Sequence, residues 1–412
     1  MPRFEPFTGL RYSRSHVRSL DDVVCPPYDV ISESERNALM GRSPTNVVRL
    51  ELPQDEPEHL EDQASGSPGA IPDRYETAAR LLDAWRDGGV LHRDQLPAFY
   101  GYRMTFVDPS GERRQTVGVM GALGLEPPGA GILPHEETTP KAKTDRLELL
   151  RATRANLSPI WGLSPSTGLS KLMEPPEHPA DHAADPDRVL HELWPITDAD
   201  RVDAIRSAVE SQPILIADGH HRFETALNYQ RERAATGMAS ESDGSVLALV
   251  VELSPDQLTV QAIHRLISDL PDGCDLPSAL EEWFDVTPTA PVDRTILMRM
   301  DDAGALAVLT PAGAWLARPR ESVTSAATHN LDSSRLDVAL AGIPGHHLAF
   351  QHGWDNCAAA VAAGQVDAAV LLRPASVEQI ASIAAGGVRM PPKTTFFWPK
   401  PRTGMVIREL LG

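Results

Sequence analysis

The sequence predicts an α+β chain of mixed α/β character, and three observations carry that expectation. Amphipathic helical runs such as RYETAARLLDAWRDGGVL (74–91) lie among short apolar or alternating runs such as PILIA (213–217) and GSVLALVVELS (244–254). The strand signals come as hairpins and isolated runs, without a regular strand–helix–strand alternation. The 36 prolines and 29 glycines divide the chain into many turns, and the 42% apolar residues still supply a core.

The elements follow in order. In VVCPPYDVIS (23–32) two prolines fix an extended or turn conformation that presents Tyr28 and Asp29 on a stiff loop. Ser32 with Glu35 three residues on is a capping-box pattern that opens a helix over SESERNALM. NVVRLEL (46–52) alternates and reads as a strand, and 53–73 reads as an exposed loop. In 74–91, Ala78, Leu81, Leu82 and Trp85 share one helical face and Gly88-Gly89 stops it. Residues 97–123 read as a hairpin turning at Asp108-Pro109-Ser110-Gly111.

Residues 127–164 read as a glycine-rich loop, a charged stretch, a helix and a short strand at Ser158 to Leu163. Residues 165–189 read as a linker, and DADRVDAIRSAVES (198–211) as a helix. Strand 213–217 then leads through ADGHHR into a helix from about Phe223 to Arg233. Beyond 270, residues 295–320 read as a three-stranded meander. Helices are expected at 337–342, 355–365 and 376–386, and a buried strand at 367–373. Three regions are expected: 1–165, 190–270 (sharing the core of the first) and 271–412.

A formal net charge of -19 repels nucleic acid and anionic lipid at long range, so neither is an expected partner. No apolar run approaches a membrane span, and the first twenty residues lack the apolar core of a secretory leader, so a cytoplasmic location is expected. Cys25, Cys274 and Cys357 are scattered and read as reduced thiols. The expected partner is a small molecule, with a homodimer left open.

Three segments carry chemistry. IADGHHRFETA (216–226) places Asp218, Gly219, His220, His221 and Arg222 where a buried strand enters a helix. Backbone N–H groups and the dipole at such a helix start favour an anion. Gly219 permits close approach, and Arg222 offers a fork for phosphate oxygens. Asp218 orients a histidine, binds a divalent cation or caps the helix; in the last case the histidines are surface groups. Zinc is disfavoured because adjacent histidines point apart and no partner spacing follows.

In ILPHEETTPKAKTDRL (132–147), His135 beside Glu136 is either a general base for a hydroxyl or part of a solvated loop. Lys141, Lys143 and Arg146 bring cations that suit phosphate. In MPPKTTFFWPKPRTG (390–404), Lys393, Thr394, Lys400 and Arg402 either contact a small anion or flank a strand whose aromatics pack inward. Tyr28, Asp29, Asn46 and Arg49 either line the same cleft or satisfy buried backbone. The sequence contains no phosphate-binding loop of the Walker type, no dinucleotide fingerprint, no serine-hydrolase elbow and no HExxH.

PFTGLRY, VVCPPYDVIS, SPTNVVRLEL, ILPHEETTPKAKTDRLELLRATRANLSPIWGLS, ADGHHRFETAL and MPPKTTFFWPK together resemble the successive signatures of one bacterial and archaeal family, the domain of unknown function DUF1015, from about residue 4 to about 408. Within it, DGHHR resembles the Gly-x-His-Arg phosphate box of the ParB and sulfiredoxin superfamily, which includes free-serine kinases. The resemblance implies a ParB/sulfiredoxin-like core elaborated with further strands and helices. It implies donor phosphates on Asp218, Gly219, His220, His221 and Arg222, with Lys141, Lys143, Lys393 and Lys400 assisting. Glu136 with His135 and His221 would be catalytic, and Tyr28, Asp29, Arg146 and Thr394 would face the substrate. Mg²⁺ would be held by Asp218 and Glu136, and the donor would be pyrophosphate or a nucleotide. No helix-turn-helix or basic arm is present, and His220 stands where sulfiredoxin has its cysteine, so neither of those roles fits. The expected activity is a small-molecule phosphotransferase, with free L-serine as a candidate acceptor. The alternatives are a non-catalytic phosphate- or nucleotide-binding regulator and a phosphoester hydrolase.

Overall fold

The computed structural model describes residues 1–54, 73–108, 111–127, 129, 131–134, 140–179, 181–386, 390–391 and 393–411. The side chains of 134, 140–144, 384 and 385 are outside that description. The expected loop at 53–73 and the tip of the 108–111 turn therefore lie largely outside the described residues. The chain forms two units, both mixed α/β. The first contains the described residues up to Gln257 together with Pro399–Gly412, and the second is Leu258–Trp398.

A nine-stranded sheet organises the first unit. Its strands are β1 (Phe4–Glu5), β2 (Phe99–Val107), β3 (Arg113–Gly124), β4 (Ile132–Pro134), β5 (Ile160–Ser164), β6 (Asp181–Ala184), β7 (Leu190–Ile196), β8 (Ile214–Asp218) and β9 (Ser245–Glu252). The spatial order is β4-β8-β5-β9-β3-β2-β7-β6, with β1 paired to β3. β2 and β3 form the expected hairpin, in register from Tyr100 opposite Met120 to Val107 opposite Arg113. β8 and β9 are nearly continuous apolar runs because neighbouring strands flank each on both sides and packed layers cover their faces. Phe4, Phe99, Val119, Ile160, Trp194, Ile216, Phe223 and Val250 share one core.

Among the described residues the helices that accompany the sheet are α1 (Glu33–Arg42), α2 (Val48–Glu51), α3 (Arg74–Asp87), α4 (Pro140–Thr153), α5 (Ala199–Glu210) and α6 (His220–Ala235). The Ser32–Glu35 capping box forms in both directions, so the sequence signal and the structure coincide at α1. α4 and α6 pack against one another, with Leu150 and Tyr229 meeting Leu410.

Three expectations are corrected. NVVRLEL contains the short helix α2 in place of a strand. The Asn46 carboxamide accepts from Val48 N–H at 3.0 Å and donates to the Asp22 carbonyl at 2.7 Å, a local turn that competes with extended backbone. That helix buries Glu51, which a strand would have left on its polar side. Residues 295–320 are a helix, Ile296–Ala303, followed by a hairpin of Leu306–Thr310 and Gly313–Pro319. Ile296 and Met300 lie one turn apart, and Gly304 ends the helix at φ 61° in the left-handed region. The linker reading of 165–189 also misses β6.

The second unit is a six-stranded sheet in the order Phe284–Pro288, Gly313–Pro319, Leu306–Thr310, Ala368–Leu371, His264–Ser268, His347–Gln351. A separate ribbon pairs Thr259–Ala262 with Thr395–Trp398. Among the described residues no helix is long and apolar enough to cross a membrane.

Gly101 in β2 lies under the Trp194 indole, where a Cβ would sit 2.2 Å from Cε2. Gly101→Ala should destabilise the first unit by about 2 kcal/mol through overpacking, read as a lowered denaturant midpoint at unchanged slope.

Candidate functional site

The site begins where β8 leaves the sheet. β8 pairs in parallel with β4, Ile216 opposite Pro134, and antiparallel with β5, Ile216 opposite Gly162 and Asp218 opposite Trp161. The register with β5 shifts between Ile216 and Asp218, so a bulge turns the strand end out of the ladder. Gly219 follows at φ 85°, ψ 26°, and α6 starts at His220, three residues before the sequence suggests. A Cβ on Gly219 would lie 3.1 Å from both Ile160 Cα and Arg222 Nε, so conformation and space both call for glycine. Gly219 offers no capping side chain, and the first-turn N–H groups of any helix lack intrahelical partners.

Asp218 joins two cations. Its Oδ1 lies 3.1 Å from Lys400 Nζ, and its Oδ2 accepts from Arg222 Nη2 at 3.2 Å. The Arg222 guanidinium also donates to the Pro159 carbonyl, which fixes the β5 approach to the turn. The side chains of Lys400 and Arg222 are only 11% and 10% exposed, so solvent screens these contacts weakly. Burial pushes the Asp218 pKa up, but Lys400, Arg222 and His220 outweigh it and bring it to about 2.

A second layer surrounds Arg222. The Tyr28 ring lies 4.4 Å beneath the Arg146 guanidinium and 6.0 Å from that of Arg222. Burial raises the Tyr28 hydroxyl to about 12, keeping it a neutral donor. Arg146 donates to the Glu51 carbonyl at 2.7 Å and to Asp145 Oδ2 at 2.9 Å. Glu51 accepts from Ser158 Oγ at 3.0 Å. A cavity of about 50 Å³ lies among Glu51, Arg146, Ser158, Arg222 and Thr225. Arg222 Nε and Thr225 Oγ1 are buried there without a hydrogen-bond partner. Asp29 is exposed, and its charge is felt by both Arg222 and Tyr28.

The structure thus gathers Tyr28, Asp29, Arg146, Asp218, Gly219, His220, His221, Arg222 and Lys400 in the first unit. Lys393 and Thr394 belong to the second unit. There the Lys393 carbonyl accepts from Arg265, and Thr394 Oγ1 donates to the Pro391 carbonyl at 2.7 Å. His135 and Glu136 lie outside the described residues, as do the side chains of Lys141 and Lys143 in α4. Pro134, which pairs with Ile216, brings the chain to the same end of β8 immediately before that segment. Asn46 serves backbone, and Arg49 donates to the Met40 carbonyl, so both are structural. A divalent ion on Asp218 would have to displace a cation from each oxygen. Asp218 in this arrangement does not fit a Mg²⁺ ligand. Among the described residues no group of three or more His, Cys, Asp or Glu forms a metal site.

The family described as "Protein of unknown function (DUF1015)" matches residues 4–339, most of the chain. The chain belongs to this family. No curated protein matches this DUF1015 chain. Similar solved structures include a conserved hypothetical protein from Pyrococcus furiosus, 14% identical over 66% of this chain and 88% of that one, with a TM-score of 0.34. A free serine kinase in complex with AMP is 16% identical over 65% and 83%, with a TM-score of 0.32. SbnI with a C-terminal truncation from Staphylococcus aureus is 12% identical over 69% and 85%, with a TM-score of 0.37. At TM-scores this low the likenesses carry no argument about this DUF1015 protein.

Sequence reasoning missed Glu51, Ser158 and Asp145. Nothing in the sequence marks Glu51, because its burial follows from α2. Two outcomes are expected at the turn. Gly219→Ala should cost about 1–3 kcal/mol in unfolding free energy, because alanine is strained in the left-handed region. The Asp218 carboxyl, followed by ¹³C NMR, should titrate near pH 2. Because its folded pKa lies below the ordinary 3.8, the stabilisation is complete above that value and is lost as pH falls towards 2.

Proposed function

We propose that this protein is a small-molecule phosphotransferase that holds a phosphoanhydride donor, pyrophosphate or a nucleotide, at the Asp218–Arg222 turn. The observation that carries the reading is the start of α6 at Gly219, which has no side chain to cap it, with Lys400 and Arg222 sharing the carboxylate of Asp218. Two cations there share one anion, and the helix start adds partial positive charge. A terminal phosphate entering beside Lys400 takes N–H groups of the first turn, while Arg222 keeps Asp218 and Pro159 in place. His221 and the lysines of α4, Lys141 and Lys143, neutralise the phosphate oxygens.

Phosphoryl transfer asks mainly for positioning and charge. In the proposed reaction an acceptor hydroxyl oxygen bonds to the terminal phosphorus as the bridging P–O bond breaks. The hydroxyl proton passes to Glu136, oriented by His135, and the shortened phosphate leaves. Tyr28, Asp29 and Arg146 face the acceptor, for which free L-serine is the candidate that the sequence resemblance suggests. A second reading, donor binding without turnover, draws support from one feature. Asp218, Glu51 and Asp145 are each tied to a cation or hydroxyl, so none of them is available as a base.

Protein incubated with Mg²⁺, serine and pyrophosphate, ADP or ATP should yield phosphoserine with at least one donor, read by mass spectrometry. Glu136→Gln should abolish turnover while leaving donor affinity within about threefold, since it removes a proton acceptor and no donor contact. Arg222→Gln should weaken donor binding by about tenfold or more. Thermal stabilisation by a donor with no product from serine or water would establish the binding reading. Neither stabilisation nor product would overturn both.

A further inference from the structure

Lys400 is carried by a short segment, Pro399-Lys400-Pro401-Arg402-Thr403, that returns to the first unit near the end of the chain. Two prolines stiffen it. Beyond Lys400 it is pinned on two sides. On one side Thr403 N–H donates to the Cys25 carbonyl at 2.9 Å, and Cys25 N–H donates back at 3.3 Å. Cys25 lies three residues before Tyr28, so this bridge joins the two segments that bring Tyr28 and Lys400 to the site.

On the other side is a buried chain of polar groups. Arg402 N–H donates to the Tyr102 hydroxyl at 3.0 Å, and that hydroxyl lies 2.8 Å from His191 Nδ1. His191 Nε2 faces Asp185 Oδ2 at 3.3 Å, and a carboxylate only accepts, so neutral His191 carries its proton on Nε2 and its Nδ1 accepts from the Tyr102 hydroxyl. The Arg402 guanidinium closes the loop on the same Asp185 oxygen, and Val189 N–H donates to the other at 2.9 Å. Tyr102 and His191 are fully buried, and the side chains of Arg402 and Asp185 are each 8% exposed. Burial keeps His191 neutral. Burial pushes the Asp185 carboxyl up, but His191 and Arg402 outweigh it and bring it to about 2. Through Tyr102 the circuit fixes the backbone at Arg402, two residues from Lys400.

We propose that Tyr102, Asp185, His191 and Arg402 form a positioning unit that holds the Lys400 ammonium at Asp218 and thereby sets the donor affinity of the turn. These residues touch no substrate and act through Lys400. The proposal rests on the donor reading for its functional consequence, while the hold on Lys400 stands independently of that reading.

The test therefore uses two readouts. Lys400 is labelled with an N-hydroxysuccinimide ester and followed by mass spectrometry, with exposed Lys171 as internal control. In Asp185→Asn, labelling of Lys400 should rise about tenfold, the equivalent of one lost charge-assisted contact, while Lys171 is unchanged. Tyr102→Phe, which removes one hydroxyl and no charge, should give a smaller rise and serves if Asp185→Asn does not fold. Pyrophosphate and ADP affinities, by calorimetry, should fall with Asp185→Asn in the wild-type background and should not fall further in Lys400→Ala. Lys400 labelled at the wild-type rate in the folded variants overturns the positioning role. An additive loss of affinity in Lys400→Ala also overturns it, since the unit would then act by another route. Faster Lys400 labelling in a protein whose wild type binds neither pyrophosphate nor ADP keeps the positioning unit and removes the donor reading.

Discussion

A carboxylate held between two cations at the end of a buried strand determines how the rest of the site is built. Asp218 cannot leave the β8 ladder without somewhere to place its charge, since burial alone would push its pKa up. Arg222 supplies one partner from the first turn of α6, and Lys400 supplies the other from the far end of the sequence. Removing either would leave a poorly solvated charge, which is far more costly than the pair is stabilising. The Pro399–Gly412 segment is thereby bound to a turn in the middle of the chain. Arg408 adds to this by donating to Asn156 and to the Ser242 and Ser245 carbonyls.

The local parts of this arrangement were legible in the sequence, and the long-range parts were not. A buried strand running through Asp-Gly into a helix can be read from order alone, as can a Ser32–Glu35 cap, because each depends on residues within a few positions. Lys400 stood out in the sequence by its basic, proline-bounded setting, but its ion-pair partner did not. Nothing within ten residues of Lys400 indicates Asp218. The α2 segment shows the opposite failure. Its alternation was real, yet a single Asn46 side chain bonded to backbone on both sides redirected it, and Glu51 went inward with it. The buried circuit from Arg402 to Tyr102 joins residues 300 positions apart, and no spacing rule reaches that far.

The acidic surface and the paired charges around Arg222 answer one electrostatic constraint. With a net charge of -19 the protein repels polyanions at long range, so any site for phosphate has to be small, enclosed and locally compensated. The first unit holds arginines whose guanidiniums are fastened by hydrogen bonds. Arg222 is fastened to Pro159 and Asp218, and Arg146 to Glu51 and Asp145, with the Tyr28 ring 4.4 Å from one guanidinium and 6.0 Å from the other. Groups so fastened do not need to reorganise when an anion arrives.

That fastening also separates the role of Asp218 from that of a metal ligand. A carboxylate that binds a divalent ion needs oxygens turned towards the ion and free of other cations. Asp218 has a cation on each oxygen, and the two together hold its pKa below the ordinary carboxylate range. Its charge is therefore spent on geometry: it keeps Arg222 against the strand end and keeps Lys400 from swinging into solvent. A phosphate at the helix start would meet Lys400 already in place, with the ordering cost of that long side chain already met in folding.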